Sequence, residues 1–264
     1  MPAPVKGITM ADHVQSLARG LAVIRAFSAA EPELTLSQVA RATGLSRAAA
    51  RRFLITLHDL GYVRNDGRLF SLAPRVLELG YAYLSSLSLP EVADPHLERL
   101  AAEVRESASV AVLDGEDVVY VARVATARIM RVSISIGTRF PAYCTSMGRV
   151  LLAGLSPEAL ESYLSRAGLR PLTDRTIVLP ADLRAELDEV RARGWAMVDQ
   201  ELEEGLRSIA APIRDRTGRT VAAVNVSTHA TRTSLRQAER DLLPPLLATA
   251  GRIEADLASL SPAR

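Results

Sequence analysis

Apolar positions in the first quarter of the chain recur every three or four residues. Val14, Leu17, Leu21, Ile24 and Phe27 share one helical face, which predicts an amphipathic helix over 13–29 that Glu31-Pro32-Glu33 stops. A second helix begins at Thr35 or Leu36 and turns Leu36, Val39 and Ala40 inward. Gly44 supplies permissive backbone, Leu45 plugs the core beneath the turn, and Ser46 is placed to cap a third helix. In that third helix, which ends at Gly61, Ala50, Phe53, Leu54 and Leu57 share the inward face. That directs Ala48, Arg52, Ile55 and Thr56 outward, with Arg47, Ala49 and Arg51 near the edges. Two short helices joined by a glycine turn form a helix-turn-helix, whose common use is to lay its second helix in the DNA major groove.

Tyr62-Val-Arg64 and Arg68-Leu-Phe-Ser-Leu72 flank Asn65-Asp66-Gly67, which reads as a β-hairpin. A hairpin behind a helix-turn-helix is a wing, so residues 10–73 are expected to form a mainly α winged helix-turn-helix domain. Pro74 then opens a linker helix over 74–90 carrying Val76, Leu77, Leu79, Gly80, Tyr83, Leu84 and Leu87, broken by Ser85-Ser86 and ended by Pro90. It carries too much apolar surface to stand alone. It either packs on a domain or pairs with the same helix of a second chain, and two half-sites on DNA favour the pairing.

From Glu91 helices and strands mix. Residues 91–106 read as a helix, 109–113 and 118–122 as strands around Asp114-Gly-Glu-Asp117, and 128–136 as an alternating strand. Helices are expected near 145–155, 157–166 and 181–193, the last stopped by Gly194. Trp195–Val198 is a strand, 208–213 and 221–226 form a hairpin, and Ser234 with Gln237 makes a capping box for the last helix. Residues 91–260 are therefore expected to form an α+β domain with an antiparallel sheet and helices packed against it.

Charge sharpens the first reading. Residues 1–88 hold 10 Lys and Arg against 6 Asp and Glu, and the remainder holds 22 against 24, so the excess of positive charge sits with the helix-turn-helix. No apolar run approaches the ~18–20 residues of a membrane span, and the amino terminus lacks the apolar core of a signal peptide, so a cytoplasmic protein with no membrane partner is expected. One cysteine, Cys144, excludes an internal disulfide framework. His13, His58, His96 and His229 show no ligand spacing, and no metal or cofactor is expected.

On the recognition helix Arg52 and Ala48 are assigned to bases. Thr35, Ser37, Ser46, Arg47 and Arg51 are assigned mostly to phosphates, and Arg64 and Arg68 carry the wing to the sugar-phosphate backbone. In the second domain, Ala142–Arg149 enters a helix through small polar residues, leaving backbone N–H groups at Thr145, Ser146 and Met147 that suit a carboxylate; an ordinary N-cap is the alternative. Asn225 and Ser227 lie two apart and face one side of their strand, beside Ser208; an exposed sheet face is the alternative. A dianionic ligand would need a second cationic partner, for which Arg131 and Arg139 are candidates or else plain surface arginines.

From about Val14 to Leu257 these residues, in order, resemble the isocitrate-lyase-regulator (IclR) family of bacterial transcription factors. The markers are Ser16-Leu-Ala-Arg-Gly-Leu-Ala-Val-Ile, Leu45-Ser-Arg-Ala-Ala-Ala-Arg-Arg, Gly61-Tyr-Val, Gly148-Arg-Val-Leu-Leu-Ala, Glu204-Gly-Leu-Arg-Ser-Ile-Ala-Ala-Pro-Ile and Ala222-Ala-Val-Asn-Val-Ser. The stretch Ala142–Ala153 is most similar to the branch controlling protocatechuate, 4-hydroxybenzoate and β-ketoadipate catabolism. The resemblance implies a GAF-like effector domain and a dimer or dimer of dimers. It implies partners in operator DNA, a small carboxylate effector and, for an activator, the transcription machinery. It places the ligand carboxylate against the Ser146 and Met147 N–H groups, with Val132 and Phe140 as walls. Asp199, Ser208, Asn225 and Ser227 become polar partners, with Leu206 nearby. Some members carry Cys at Ser208 and Ser at Asn225, which leaves the acid unidentified. The expected function is a non-enzymatic, acid-controlled DNA-binding regulator. Its alternatives are a repressor answering another small organic acid, an enzyme acting on a small acid, and a purely architectural DNA binder.

Overall fold

A computed structural model describes residues 14–28, 30–84, 88–126 and 134–260. The chain divides into two compact units, Met1–Ser86 and Leu87–Arg264.

The first unit holds α1 (Gln15–Arg25), β1 (Glu33–Thr35), α2 (Leu36–Thr43), α3 (Arg47–Asp59), β2 (Val63–Asn65), β3 (Leu69–Leu72), a 3-10 turn at Pro74–Val76 and α4 (Leu77–Leu84). Local chemistry explains the breaks. Thr35 and Gln38 form a reciprocal capping box at the start of α2, Gly44 ends it with left-handed φ of 66°, and the Ser46 hydroxyl accepts from the Ala49 N–H to open α3. Asp66 accepts N–H bonds from Arg68 and Leu69 in the hairpin turn. The Leu69 bond, then the Arg68 bond, holds its carboxyl below the ordinary value. The wing has one strand more than expected, because β1 pairs with β3 to give the order β1-β3-β2.

The amphipathic reading of α1 needs correction. Val23 and Phe27 enter the core with Leu34, Val39, Leu54 and Val63, whereas Val14, Leu17 and Leu21 stand 62%, 63% and 44% exposed. The stripe is split: Ile24 and Phe27 at its carboxy-terminal end reach the core, while Val14, Leu17 and Leu21 at its amino-terminal end do not.

The second unit contains α5 (Ser88–Val104), β4 (Ser107–Asp114), β5 (Asp117–Val124), β6 (Arg139–Pro141), α6 (Ser146–Ala153) and α7 (Pro157–Arg166). Then come α8 (Pro180–Arg193), β7 (Ala196–Asp199), β8 (Leu206–Arg214), β9 (Thr220–His229), α9 (Leu235–Gln237) and α10 (Leu243–Leu260). Pro90 does not end a helix. It lies in the first turn of α5, where its missing N–H has no intrahelical acceptor to lose. The strand expected over 128–136 is corrected where it can be seen. Residues 127–133 lie outside the described residues, 134–138 form a turn, and the strand is only Arg139–Pro141.

The sheet is antiparallel throughout, in the order β6-β5-β4-β9-β8-β7. Ala108, Val110, Val224 and Val226 pack on one face against Leu97 and Leu100 of α5 and Leu246 and Ile253 of α10. Ala111, Tyr120, Ala210 and Ala223 pack on the other against Val150 and Leu151 of α6 and Leu183 and Leu187 of α8. Burial on both faces explains why β8 and β9 read as nearly continuous apolar runs.

Helix α6 starts tight against the chain that precedes it. A Cβ at Gly148 would lie 2.0 Å from the Ala142 carbonyl oxygen, a backbone atom that cannot swing away. Gly148→Ala is expected to cost roughly 3 kcal/mol of stability, read as a lower urea midpoint at unchanged slope. An unchanged midpoint would mean that the Ala142 turn gives way freely.

Candidate functional site

Packing Ala50, Leu54 and Leu57 of α3 inward turns Arg47, Ala48, Arg51, Arg52, Ile55 and Thr56 to the exposed side. Ser37 on α2 and Arg64 and Arg68 on the wing are exposed as well. Thr35 and Ser46 are already engaged. The Thr35 hydroxyl accepts from the Gln38 N–H at 3.3 Å and donates to Gln38 Oε1 at 2.7 Å, and Ser46 Oγ accepts from Ala49 at 3.2 Å. Both hydroxyls close helix starts, so any phosphate contact there falls first to backbone N–H groups at those starts. Arg47, Arg51, Arg52, Arg64 and Arg68 form no ion pair with described residues, which leaves a small-residue helix front edged by guanidinium groups.

In the second unit, Thr145, Ser146, Leu206, Ser208, Asn225 and Ser227 meet around one cavity, and Tyr120, Ile134, Cys144, Val198 and Leu202 complete its described lining. Alternation puts Ala223, Asn225 and Ser227 on the α6 face of β9, and cross-strand register sets Ser227 beside Ser208. The cavity is closed down. About 10 Å³ is open to the centre of a water molecule, room for roughly one water.

The N-terminus of α6 meets this cavity. The Gly148 N–H is taken by Thr145 Oγ1 at 3.1 Å, while Ser146 and Met147, the first two helical residues, have no intrahelical carbonyl to receive their N–H groups. Thr145 is corrected: its N–H donates to the Ala142 carbonyl at 3.4 Å. Two buried polar atoms lining the same cavity lack partners, Ser146 Oγ and Asn225 Oδ1. The Asn225 amide donates to Ser227 Oγ at 3.1 Å, which aims the unpartnered carbonyl oxygen away from that bond. Buried orphans of this kind cost free energy that an incoming ligand can recover.

Behind the helix start lies Arg149, 2% exposed. Its Nε donates to the Tyr143 carbonyl at 3.1 Å and its Nη2 to Glu201 Oε2 at 2.6 Å, an oxygen that also accepts from the Ile177 N–H. The pair ties the α6 start to the 3-10 turn Ala142–Cys144 and to the loop carrying Leu202. Burial, reinforced by Glu201, pushes the Cys144 thiol up to about 12.

Other expected site residues lie elsewhere. Phe140 stands edge-on to Tyr120 at 5.8 Å and supports the wall from behind. The Met147 side chain is core. Asp199 is held by Arg175 and Arg207, each at 2.6 Å, and is not among the residues lining the cavity. Arg139 is corrected: it pairs with Asp114 and Asp117 on the exposed edge of the sheet. Val132 and Arg131 lie outside the described residues. Tyr120 and Val198 were within reach of strand alternation, but only register shows which face carries the cavity. Among the described residues no cluster of His, Cys, Asp and Glu could hold a metal, and no helix is long and apolar enough to cross a membrane.

Residues 16–67 match the IclR helix-turn-helix domain, and residues 81–255 match the bacterial transcriptional regulator IclR C-terminal domain. The chain is 51% identical over 238 residues to the Pca regulon regulatory protein of Pseudomonas putida, covering 90% of this chain and 82% of that one. It is 37% identical over 257 residues to the p-hydroxybenzoate hydroxylase transcriptional activator of Acinetobacter baylyi, covering 96% and 95%. An IclR homologue from Microbacterium hydrocarbonoxydans, solved with 4-hydroxybenzoate, superposes with a TM-score of 0.81 at 28% identity, over 92% of this chain and 98% of that one. A winged helix-turn-helix followed by an antiparallel α+β domain, matched along both parts, makes this chain a transcriptional regulator of the IclR family.

Proposed function

We propose that the chain is a homodimeric operator-binding regulator controlled by a small carboxylic acid of aromatic catabolism, acting in the cytoplasm where its DNA lies. The observation that carries the acid-sensing part is the pair of buried, unpartnered oxygens, Ser146 Oγ and Asn225 Oδ1, lining one cavity with the α6 N-terminus. A carboxylate there accepts from the Ser146 hydroxyl and from the Ser146 and Met147 N–H groups, and the helix dipole favours its charge. A hydroxyl or protonated acid group satisfies Asn225 Oδ1. The relatives' names, a Pca regulon regulator and a p-hydroxybenzoate hydroxylase activator, and the 4-hydroxybenzoate bound to a structural relative, support an acid from the same catabolism.

The closed cavity gives the acid a switch to act on. Ligand enters only where the wall moves, so it binds one conformation better than the other and shifts the population between them. An enzymatic reading is disfavoured by Cys144, whose thiol, held at about 12, is protonated and a poor nucleophile. Dimerisation has its own support. Leu17 and Leu21 of α1 line an apolar groove with Ile24, Phe53, Tyr62 and Leu79, and Leu79 is itself exposed. A second copy of this surface would cover it and set two recognition helices at two half-sites.

Thermal unfolding with protocatechuate, 4-hydroxybenzoate, β-ketoadipate, cis,cis-muconate, pyruvate and glyoxylate tests the sensor. An acid at 100 times its Kd adds about 2.7 kcal/mol of stability, and a flat panel would remove the aromatic-acid assignment. Arg52→Ala is expected to weaken operator binding by about 1–3 kcal/mol while leaving acid affinity unchanged; equal loss of both would sink this division of labour. Leu17→Asp with Leu21→Asp is expected to leave a folded monomer with much weaker operator binding, whereas an unaltered sedimentation coefficient would place the dimer contact elsewhere.

A further inference from the structure

Strict alternation along β5 would put Tyr120 and Ala122 on one face of the sheet and Val121 and Arg123 on the other. The pairing with β4 breaks that alternation. Ala111 stands opposite Tyr120, and its neighbour Val110 stands opposite Ala122, so Val121 is an extra residue, a β-bulge. Its consequence is a change of phase. Val121 and Ala122 both pack into the core under α5 and α10, and Tyr120 belongs to the core under α6. Arg123, directly opposite Ser109, comes round to the α6 face. Ser109 in turn stands opposite Asn225. Arg123, Ser109 and Asn225 therefore form a polar row across three strands, on the face that floors the cavity.

The Arg123 guanidinium is poorly provided for in this position. Its Nη1 reaches Ser109 Oγ at 3.4 Å, a long contact, and its Nε is buried without an acceptor. It forms no ion pair with the described residues. Burial lowers its pKa from the ordinary arginine value, against a smaller opposing effect of Tyr120. Arg149 and Arg191, by contrast, each donate Nε to a backbone carbonyl. The contact with Ser109 sets the Arg123 head over β4, one strand spacing, or roughly 5 Å, from β9 and Asn225. The α6 helix packs over β8 and β9, and its N-terminal donors meet the cavity there, while Arg123 and Ser109 continue the row beyond Asn225, outside the cavity's own lining.

We infer that Arg123 is the second anion-binding group of this site and that the effector is a diacid, one carboxylate held at the α6 N-terminus and the other by Arg123. The inference rests on the acid-sensor reading of the cavity. It replaces Arg139, which is committed to Asp114 and Asp117, with a guanidinium that has donors to spare.

Calorimetric titration of the full-length protein tests it with matched acids. β-Ketoadipate is compared with levulinate, which has hydrogen in place of one carboxylate, and trans,trans-muconate with sorbate, which has a methyl group there and the same double-bond geometry. For at least one pair the wild-type protein is expected to bind the diacid at least tenfold more tightly than the monoacid. Arg123→Gln should lose that preference, with monoacid affinity within threefold of wild type, and Arg123→Lys should restore part of it. Because Arg123 has little to do in the unliganded fold, both variants should keep the ligand-free Tm and the operator affinity. A wild-type protein that binds monoacids as well as diacids overturns the role of Arg123 and leaves the sensor reading intact. Unchanged diacid preference in Arg123→Gln, or an equal fall for both acids, overturns it too, and a misfolded Gln variant leaves the decision to Arg123→Lys and the wild-type preference. A wild-type protein that binds no acid overturns the sensor reading and this inference together.

Discussion

The start of α6 is the point on which the second domain turns. Gly148 lets the helix press against the Ala142 carbonyl, and Arg149, one residue on, reaches back to the Tyr143 carbonyl and sideways to Glu201. A buried ion pair is costly to assemble, and removing one partner would leave an uncompensated charge. Its return here is positional. The turn Ala142–Cys144, the first turn of α6 and the loop before β8 are held as one piece, so two free N–H groups and the Ser146 hydroxyl stay aimed at a small space. Without that clamp the same residues would be an ordinary helix cap.

The cavity and the recognition surface obey opposite rules. In the first domain a small apolar core of one face each from α1, α2 and α3 suffices to display arginines outward, and the starts of α2 and α3 are closed by their own hydroxyls. In the second, polar atoms are buried and left unfinished at Ser146, Asn225 and Arg123. Native proteins rarely leave such groups unpaired, and where they do a function commonly accounts for the cost. The bulge at Val121 belongs to the same logic. One extra residue in β5 redirects a guanidinium that regular pleating would have sent into the α5–α10 core.

Much of this was legible in the amino-acid order. Three-residue and four-residue spacing located α2 and α3, Gly44 and Ser46 marked the turn between them, Asn65-Asp66-Gly67 marked the wing, and Ser234 with Gln237 marked the last helix start. These are local events, decided within one turn of helix or one hairpin. Most of the polar cavity lining was legible too, because a polar pair two apart on an apolar strand has few other reasons to exist. What misled was inference across distance. The apolar stripe of α1 satisfied the helical period, yet only its end at Ile24 and Phe27 met the core, with Val23 beside it, while Leu17 and Leu21 did not. Periodicity reveals that a helix has an apolar face and says nothing about whether that face is covered by its own domain.

By itself, then, the sequence determined most of the helices and hairpins, the winged helix-turn-helix and the family, since capping, turn chemistry and periodicity act between neighbours in the chain. Only the tertiary structure decided which charges are free. Arg139 and Asp199 looked available until strand pairing brought Asp114, Asp117 and Arg207, and the loop before α8 brought Arg175, beside them. Arg123 looked like one more strand residue until register exposed the bulge that turns it over. Charge pairing and strand phase depend on residues far apart in sequence, and no local pattern encodes them.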